Sequence, residues 1–271
     1  MKAVLLARGL GSRMKSDAEA ASLTPSQAAA AAAGAKGMMP IGESGSRPFL
    51  DYVLSALADG GCTDVCLVVA PDHSAIRDYY DGRGRPTRVT LTYAVQEIAN
   101  GTARAVQAAA AFAGDDPFLV LNSDNLYPID VVRSLVAIDE PGLPAFRRNS
   151  LQQESELPLE RIASFAALDV DDAGYLTRIV EKPGLEYYLT AGPDALVSMN
   201  VWRCDRRIFD ACRDVPISAR GEYELPEAVG LAVKRGVRFR VLPASGQVLD
   251  LSRRSDVATV TARLAGVHPQ P

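Results

Sequence analysis

The chain has 271 residues, 48% of them hydrophobic and 23% charged, with a formal net charge of −4. That balance suits a globular protein with a sizeable core and offers no broad basic surface for nonspecific binding to nucleic acid, so any anion must be met by a local cluster of cations. No stretch approaches the ~20 apolar residues of a membrane span, and the apolar run at the N-terminus is too short for a signal peptide. Cys62, Cys66, Cys204 and Cys212 follow neither a disulfide-scaffold nor a zinc-site spacing, which predicts reduced, buried thiols in a cytoplasmic protein. With only His73 and His268 available, the chemistry must rest on carboxylates, lysine, arginine and metal rather than on a histidine triad.

In chain order, residues 2–7 read as a short buried strand that runs into Gly9-Leu10-Gly11-Ser12-Arg13. Residues 18–35 are low in complexity, with alanine at every position from 28 to 33. Thr24-Pro25-Ser26-Gln27 is a helix start, so a helix is favoured there, with a linker as the alternative. Residues 48–59 carry helical apolar spacing and stop at Gly60-Gly61. Strands follow at 65–70, 89–95 and 118–121, with helices at 72–80 and 102–113 between them. This alternation predicts parallel strands with helices on both faces and ligands beyond the carboxyl ends of the strands.

The second half has a different texture. Residues 139–160, polar and rich in proline, read as a long loop. Residues 162–169 and 175–181 read as strands joined by the turn Asp171-Asp172-Ala173-Gly174. A strand is expected at 195–204, a helix at 223–235, a strand at 237–242 and a closing helix at 253–264.

Three segments carry chemistry. A glycine turn after a strand presents bare backbone N–H groups to an anion, and Gly9 and Gly11 allow close approach of phosphate. A dinucleotide fingerprint needs a third glycine where Met14 stands, which disfavours hydride transfer. Arg13 is placed to reach over bound phosphates. Asp124 ends a buried strand in Leu121-Asn122-Ser123-Asp124-Asn125, either as a metal ligand or as the cap of the helix after it. Asp250, in Val-Leu-Asp-Leu, is a second carboxylate after an apolar stretch, and two carboxylates suit Mg²⁺ held against phosphate oxygens. Lys182 in Glu181-Lys182-Pro183 and Arg220 in Ser-Ala-Arg-Gly-Glu are further cations, each also readable as a solvated surface charge.

The ordered set resembles the sugar-1-phosphate nucleotidylyltransferases, also called sugar nucleotide pyrophosphorylases, from residue 2 to about residue 264. Its pieces are Leu-x-x-Gly-x-Gly-Ser-Arg, Lys36-x-x-x-Pro40, Pro48-Phe-Leu-Asp-Tyr and Gln96-x4-Gly101-Thr102-Ala103, then Asn-Ser-Asp124-Asn, Glu-Lys182-Pro, Ser-Ala-Arg220-Gly-Glu and Val-Leu-Asp250. The nearest likeness is to the glucose-1-phosphate thymidylyltransferases.

The resemblance implies an α/β fold: a three-layer α/β/α Rossmann-like nucleotidyltransferase fold with a mainly parallel mixed sheet. It implies a single domain over residues 1–266, with 1–130 as the nucleotide-binding half, 131–266 as the sugar-phosphate-binding half, and 16–36 as an alanine-rich insertion. It implies Mg²⁺-dependent transfer from an NTP to a sugar 1-phosphate, giving an NDP-sugar and pyrophosphate. Neither nucleic acid nor membrane is an expected partner, and a homo-oligomer is left open.

By the same resemblance, Gly9, Gly11 and Ser12 cradle the triphosphate, Arg13 stabilises the leaving pyrophosphate and Lys36 sits at the reaction centre. Gln96 and Gly101 contact the base, with Leu6 and Thr102 completing the nucleotide set. Asp124 and Asp250 bind Mg²⁺. Glu181 and Asn200 belong to the sugar side, and Lys182 and Arg220 hold the sugar phosphate. Arg13, Lys36, Asp124 and Lys182 form the catalytic set.

Arg8 stands where the family usually has a small residue, as an added phosphate ligand or a solvent-facing charge. The alternatives are an acceptor other than glucose phosphate (a mannose, heptose, amino-sugar or cyclitol phosphate) and an idle regulatory relative that binds nucleotide sugar.

Overall fold

The computed structural model describes residues 1–9, 11–16, 23–42 and 47–271. The first half contains β1 (Lys2–Leu6), α1 (Ser12–Ser16), α2 (Pro25–Ala33), a 3₁₀ turn at Lys36–Met38, β2 (Pro40–Ile41), β3 (Arg47–Pro48), α3 (Phe49–Asp59), β4 (Asp64–Val69), α4 (Ser74–Tyr80), β5 (Thr90–Val95), α5 (Thr102–Ala108), α6 (Ala110–Ala113) and β6 (Phe118–Asn122). The second contains β7 (Asn125–Leu126), α7 (Ile129–Ala137), β8 (Gly142–Arg147), α8 (Arg148–Glu154), α9 (Leu159–Ile162), β9 (Ala166–Val170), β10 (Leu176–Val180), α10 (Leu185–Ala191), β11 (Leu196–Ser198), β12 (Val201–Cys204), α11 (Arg207–Asp214), α12 (Leu225–Lys234), β13 (Arg240–Ala244), β14 (Leu249–Asp250) and α13 (Asp256–Arg263).

Ten strands form one mixed sheet in the order β10-β9-β11-β8-β12-β6-β1-β4-β5, with β13 beside β8. β5, β4, β1 and β6 are parallel neighbours, whereas β12 joins β6 antiparallel and antiparallel pairs carry the sheet onward to β10. Both faces are covered. Along β1, Ala3 and Leu5 belong to one apolar cluster, and Val4 and Leu6 to the other. A strand buried on both sides reads as an unbroken apolar run, as β1, β4 and β6 do. The architecture is therefore the three-layer α/β/α arrangement. Among the described residues no helix is long and apolar enough to cross a membrane, and all four cysteines are buried and free.

The alanine-rich run does form a helix. Thr24 caps α2 in a reciprocal box with Gln27, Pro25 occupies its first turn, and Gly34 closes it at φ 71°. The expected stretch began at residue 18, and residues 17–22 lie outside the described residues.

The reading of 139–160 as a loop is corrected. β8 lies inside the sheet, with Leu143, Ala145 and Phe146 all buried, and α8 and α9 follow it. Pro144 removes one ladder donor, worth roughly 0.5–1.5 kcal/mol net. Burying a leucine or phenylalanine returns roughly 1.5–3 kcal/mol each, so the strand wins. Two smaller corrections follow. Helix 102–113 breaks at Ala109, and strand 195–204 is two strands interrupted at Met199-Asn200.

Candidate active site

Register aligns the first half of the site. Leu6 sits opposite Asn122 across β1 and β6, and the Ser123 N–H donates to the Leu6 carbonyl at 3.2 Å. On the other side Leu6 pairs with Val68, Val69 pairs with Val95, and the Gln96 N–H reaches the Val69 carbonyl at 2.9 Å. The carboxyl ends of β5, β4, β1 and β6 therefore form one row, with Gln96 at one end and Asp124 at the other. A cavity of about 620 Å³ opens above this row. Leu6, Gly9, Ser12, Gln96, Gly101 and Thr102 line it, as do Ala33, Gly34 and Ala35 from the end of the insertion helix.

Gly11 and Gly101 are glycines of necessity. Gly11 has φ +60°, and a Cβ there would lie 2.4 Å from the Gly34 carbonyl oxygen. The glycine turn thus packs backbone to backbone on the end of α2. Gly101 has φ +118°, and a Cβ would meet the Tyr223 backbone at 2.3 Å. That contact is part of a seam: the Ala103 N–H donates to the Tyr223 carbonyl, the Tyr223 N–H to the Asn100 carbonyl, and the Leu225 N–H to Thr102 Oγ1. Arg254 closes the turn from the far end of the chain, its Nε donating to the Met14 carbonyl at 2.9 Å.

A smaller cavity of about 210 Å³ adjoins the first. Both are lined by Lys36, Thr102, Asn122, Asp124 and Glu222. At this junction Lys36 Nζ lies 2.9 Å from Asp124 Oδ2, each side chain about one-fifth exposed. The smaller cavity also receives Arg13, Glu181, Lys182, Asn200 and Asp250.

The last of these come from irregular backbone. Lys182 has φ +46°, a conformation that costs an ordinary side chain roughly 1–2 kcal/mol, and Asn200 has φ +64°, which asparagine tolerates more readily. Buried Tyr127 holds the Asn200 turn, its hydroxyl donating to the Met199 carbonyl at 2.6 Å and to the Asn200 carbonyl at 3.2 Å. Burial pushes the Glu181 carboxyl up from its usual range; Lys182 and Arg220 pull it back, and Glu224 adds to the rise.

Arg220 does not line either cavity. Its guanidinium lies against Glu224, with Nη2 also 3.3 Å from Glu181 Oε1. Arg161, to which the sequence assigned no role, does line the smaller cavity. Its Nε donates to Asp250 Oδ2 at 2.7 Å and its Nη2 to Asp256 Oδ2 at 3.0 Å. Burial works against its positive charge, but the two aspartates outweigh it and hold the group charged. Arg161 falls in the one-residue gap between the stretch read as loop, 139–160, and the strand expected from 162, so no pattern drew attention to it. Asn125 and Trp202, also missed, line the same cavity, and among the described residues their buried Nδ2 and Nε1 have no hydrogen-bond partner.

The donor set suits a hard cation. β14 pairs with β7 so that Asp250 faces Asn125, and the Leu251 N–H donates to the Asp124 carbonyl at 2.9 Å. The two carboxylates therefore share one cavity. Asp124 gives one oxygen to Lys36, whereas Asp250 gives Oδ2 to Arg161 and Oδ1 to Ser252. Among the described residues no group of three acidic, histidine or cysteine side chains forms a closed metal centre. Such a site would take its remaining ligands from phosphate oxygens and water, as Mg²⁺ usually does.

These features define an α/β fold with a two-chambered cavity at the carboxyl ends of its strands. The nucleotidyl transferase family profile matches residues 30–250, and the chain belongs to that family. It is similar to the low-salt glycan biosynthesis nucleotidyltransferase Agl11 of Haloferax volcanii, 28% identical over 95% of this chain but only 64% of that protein. It is also similar to the UTP–glucose-1-phosphate uridylyltransferase AglF of the same organism, 26% identical over 97% of this chain and 96% of that one. A UDP-glucose pyrophosphorylase solved with UDP-glucose shares the fold at a TM-score of 0.74, with 16% identity and 97% of each chain covered.

Proposed function

We propose that this protein transfers a nucleotidyl group from an NTP to a sugar 1-phosphate and releases pyrophosphate. The observation that carries this reading is the pair of adjoining cavities joined at the Lys36–Asp124 ion pair. The larger holds the nucleotide over the glycine turn; the smaller holds the sugar phosphate. An oxygen of the sugar phosphate attacks the α-phosphorus in line as the bond to the β-phosphate oxygen breaks, and the electron pair leaves with pyrophosphate.

A phosphate monoester is already largely ionised at pH 7, so no side chain need act as general base. Positioning and charge neutralisation supply the rate. Lys36 balances charge at the junction, and Arg13 and Lys182, both lining the smaller cavity, add positive charge where the acceptor phosphate meets the triphosphate. Asp124 and Asp250 would hold Mg²⁺, which when bound neutralises charge building on the α-phosphate. Glu181 and Glu222 accept hydrogen bonds from sugar hydroxyls. Reduced, buried cysteines agree with a cytoplasmic setting.

The test is a matrix of NTPs against sugar 1-phosphates with Mg²⁺, read by pyrophosphate release. At least one pair should turn over; silence across a broad panel in a protein that still binds nucleotide would remove the catalytic reading.

A further inference from the structure

We propose that Arg8 reads the nucleobase, selecting a base that presents an N–H beside a carbonyl. The inference rests on the nucleotide occupying the larger cavity, as proposed above.

Arg8 follows β1 and lines that cavity. Its Nε donates to the Gln96 carbonyl at 3.1 Å and its Nη2 to the Glu97 carbonyl at 3.4 Å. Both anchors lie just past β5. Neutral carbonyls leave the charge unbalanced, and among the described residues Arg8 forms no ion pair, unlike Arg161 and Arg220. Among the described residues Nη1 has no hydrogen-bond partner, which leaves it to donate to a ligand.

The anchor position separates base from phosphate. β5 and β6 are three strand spacings apart in the order β6-β1-β4-β5, roughly 14 Å at about 4.8 Å per strand. Asp124 and Lys36 mark the β6 end, where bond exchange belongs, and the glycine turn after β1 lies between. A guanidinium tied to the end of β5 is therefore at the end of the nucleotide opposite the reacting phosphate.

Gln96 fixes which edge of the base fits. It is buried, and its Nε2 donates to the Gly101 carbonyl at 3.0 Å and to Asn100 Oδ1 at 3.4 Å. Only Oε1, an acceptor, is left for a ligand. The base must then offer a ring N–H to Gln96 and a carbonyl oxygen to Arg8. Uracil and thymine have this edge at N3–H, and guanine at N1–H with O6. Held in that same pose by its ribose and phosphates, cytosine or adenine turns a bare ring nitrogen toward Gln96 and an amino group toward Arg8, and regains a match only by shifting the base so that the amino group faces Gln96. A buried polar group left unpaired in this way discriminates strongly.

The experiment is titration calorimetry of UTP, dTTP, GTP, CTP and ATP against the wild type, Arg8→Ala and Arg8→Lys, with circular dichroism to confirm folding. The wild type should bind UTP, dTTP or GTP at least about tenfold more tightly than CTP and ATP. Arg8→Ala should shrink that preference to within about threefold, and Arg8→Lys, a point donor without the fork, should fall between. Glucose 1-phosphate affinity should stay within twofold throughout. A wild type with no base preference, or an Arg8→Ala variant that keeps it, overturns the assignment. NTP binding without turnover would sink the transferase reading alone, whereas no NTP binding would sink both.

Discussion

The two halves of the cavity are built by different means. On the proposed nucleotide side, four parallel strands end in register, and Gln96 and Asp124 each lie within two residues of a strand end. On the acceptor side, strands are short and antiparallel, and the functional positions sit at interruptions: Lys182 and Asn200 at positive φ, Asp250 in a two-residue strand, Arg161 on a four-residue helix. Parallel register aligns groups without local strain. The antiparallel half aligns them by holding single residues in unfavourable conformations, so stability and binding are coupled there as they are not across the sheet.

Substitutions can break or sharpen this contrast. The largest effect is expected at the junction: Asp124→Asn should lower turnover by about 10³-fold with Mg²⁺ while the thermal midpoint stays near wild type. A near-normal rate would remove Asp124 from the metal site. Next, Gly11→Ala, at φ +60° and 2.4 Å from a carbonyl, should destabilise by about 2–3 kcal/mol and lower the melting temperature by several degrees. An unchanged melting curve would mean the insertion helix does not press on the turn.

Lys182 supplies the matching test on the other side. Lys182→Ala and Lys182→Gly both lose the ammonium, so both should raise the sugar-phosphate KM about tenfold and the NTP KM far less. Only glycine relaxes the backbone, so Lys182→Gly should melt higher than Lys182→Ala, by about 1 kcal/mol of stability. Equal melting temperatures would deny the strain. The smallest effect concerns Glu181. Its carboxyl is raised in the folded state by burial, so the folded form binds its proton more tightly than the unfolded chain does. Stability then falls as pH rises from the ordinary carboxylate value through the folded value. Glu181→Gln should flatten that slope in pH-dependent melting; an unaltered slope would assign it to other groups.

The same contrast governs what the sequence disclosed. The parallel half was legible because glycine at 9 and 11, the apolar runs of β1, β4 and β6, and the box at Thr24 and Gln27 each carry their own local reason. Even there, Arg8 was open between phosphate and solvent, and its carbonyl anchors depend on a strand 88 residues away. In the antiparallel half, Pro144 disguised a central strand as loop, and Arg161 fell between that stretch and the strand expected from residue 162. Arg220 was read as facing the acceptor phosphate, yet it lies against Glu181 and Glu224 and off the cavity wall. Which face an arginine takes at a loop depends on the carboxylates that other elements bring to it, and no periodicity encodes that.

The hydrogen bond from Arg254 to the Met14 carbonyl bears on how the protein is born. Ribosomes make the glycine turn some 240 residues ahead of its clasp, and Asp250 arrives only just before that clasp. Until then the glycine turn lacks both its fastening and the second carboxylate of the junction. A nascent chain shorter than about 250 residues should thus hold a formed β1–β4 pair yet have little grip on nucleotide, so that competence for the substrate waits on the segment that carries Asp250 and Arg254.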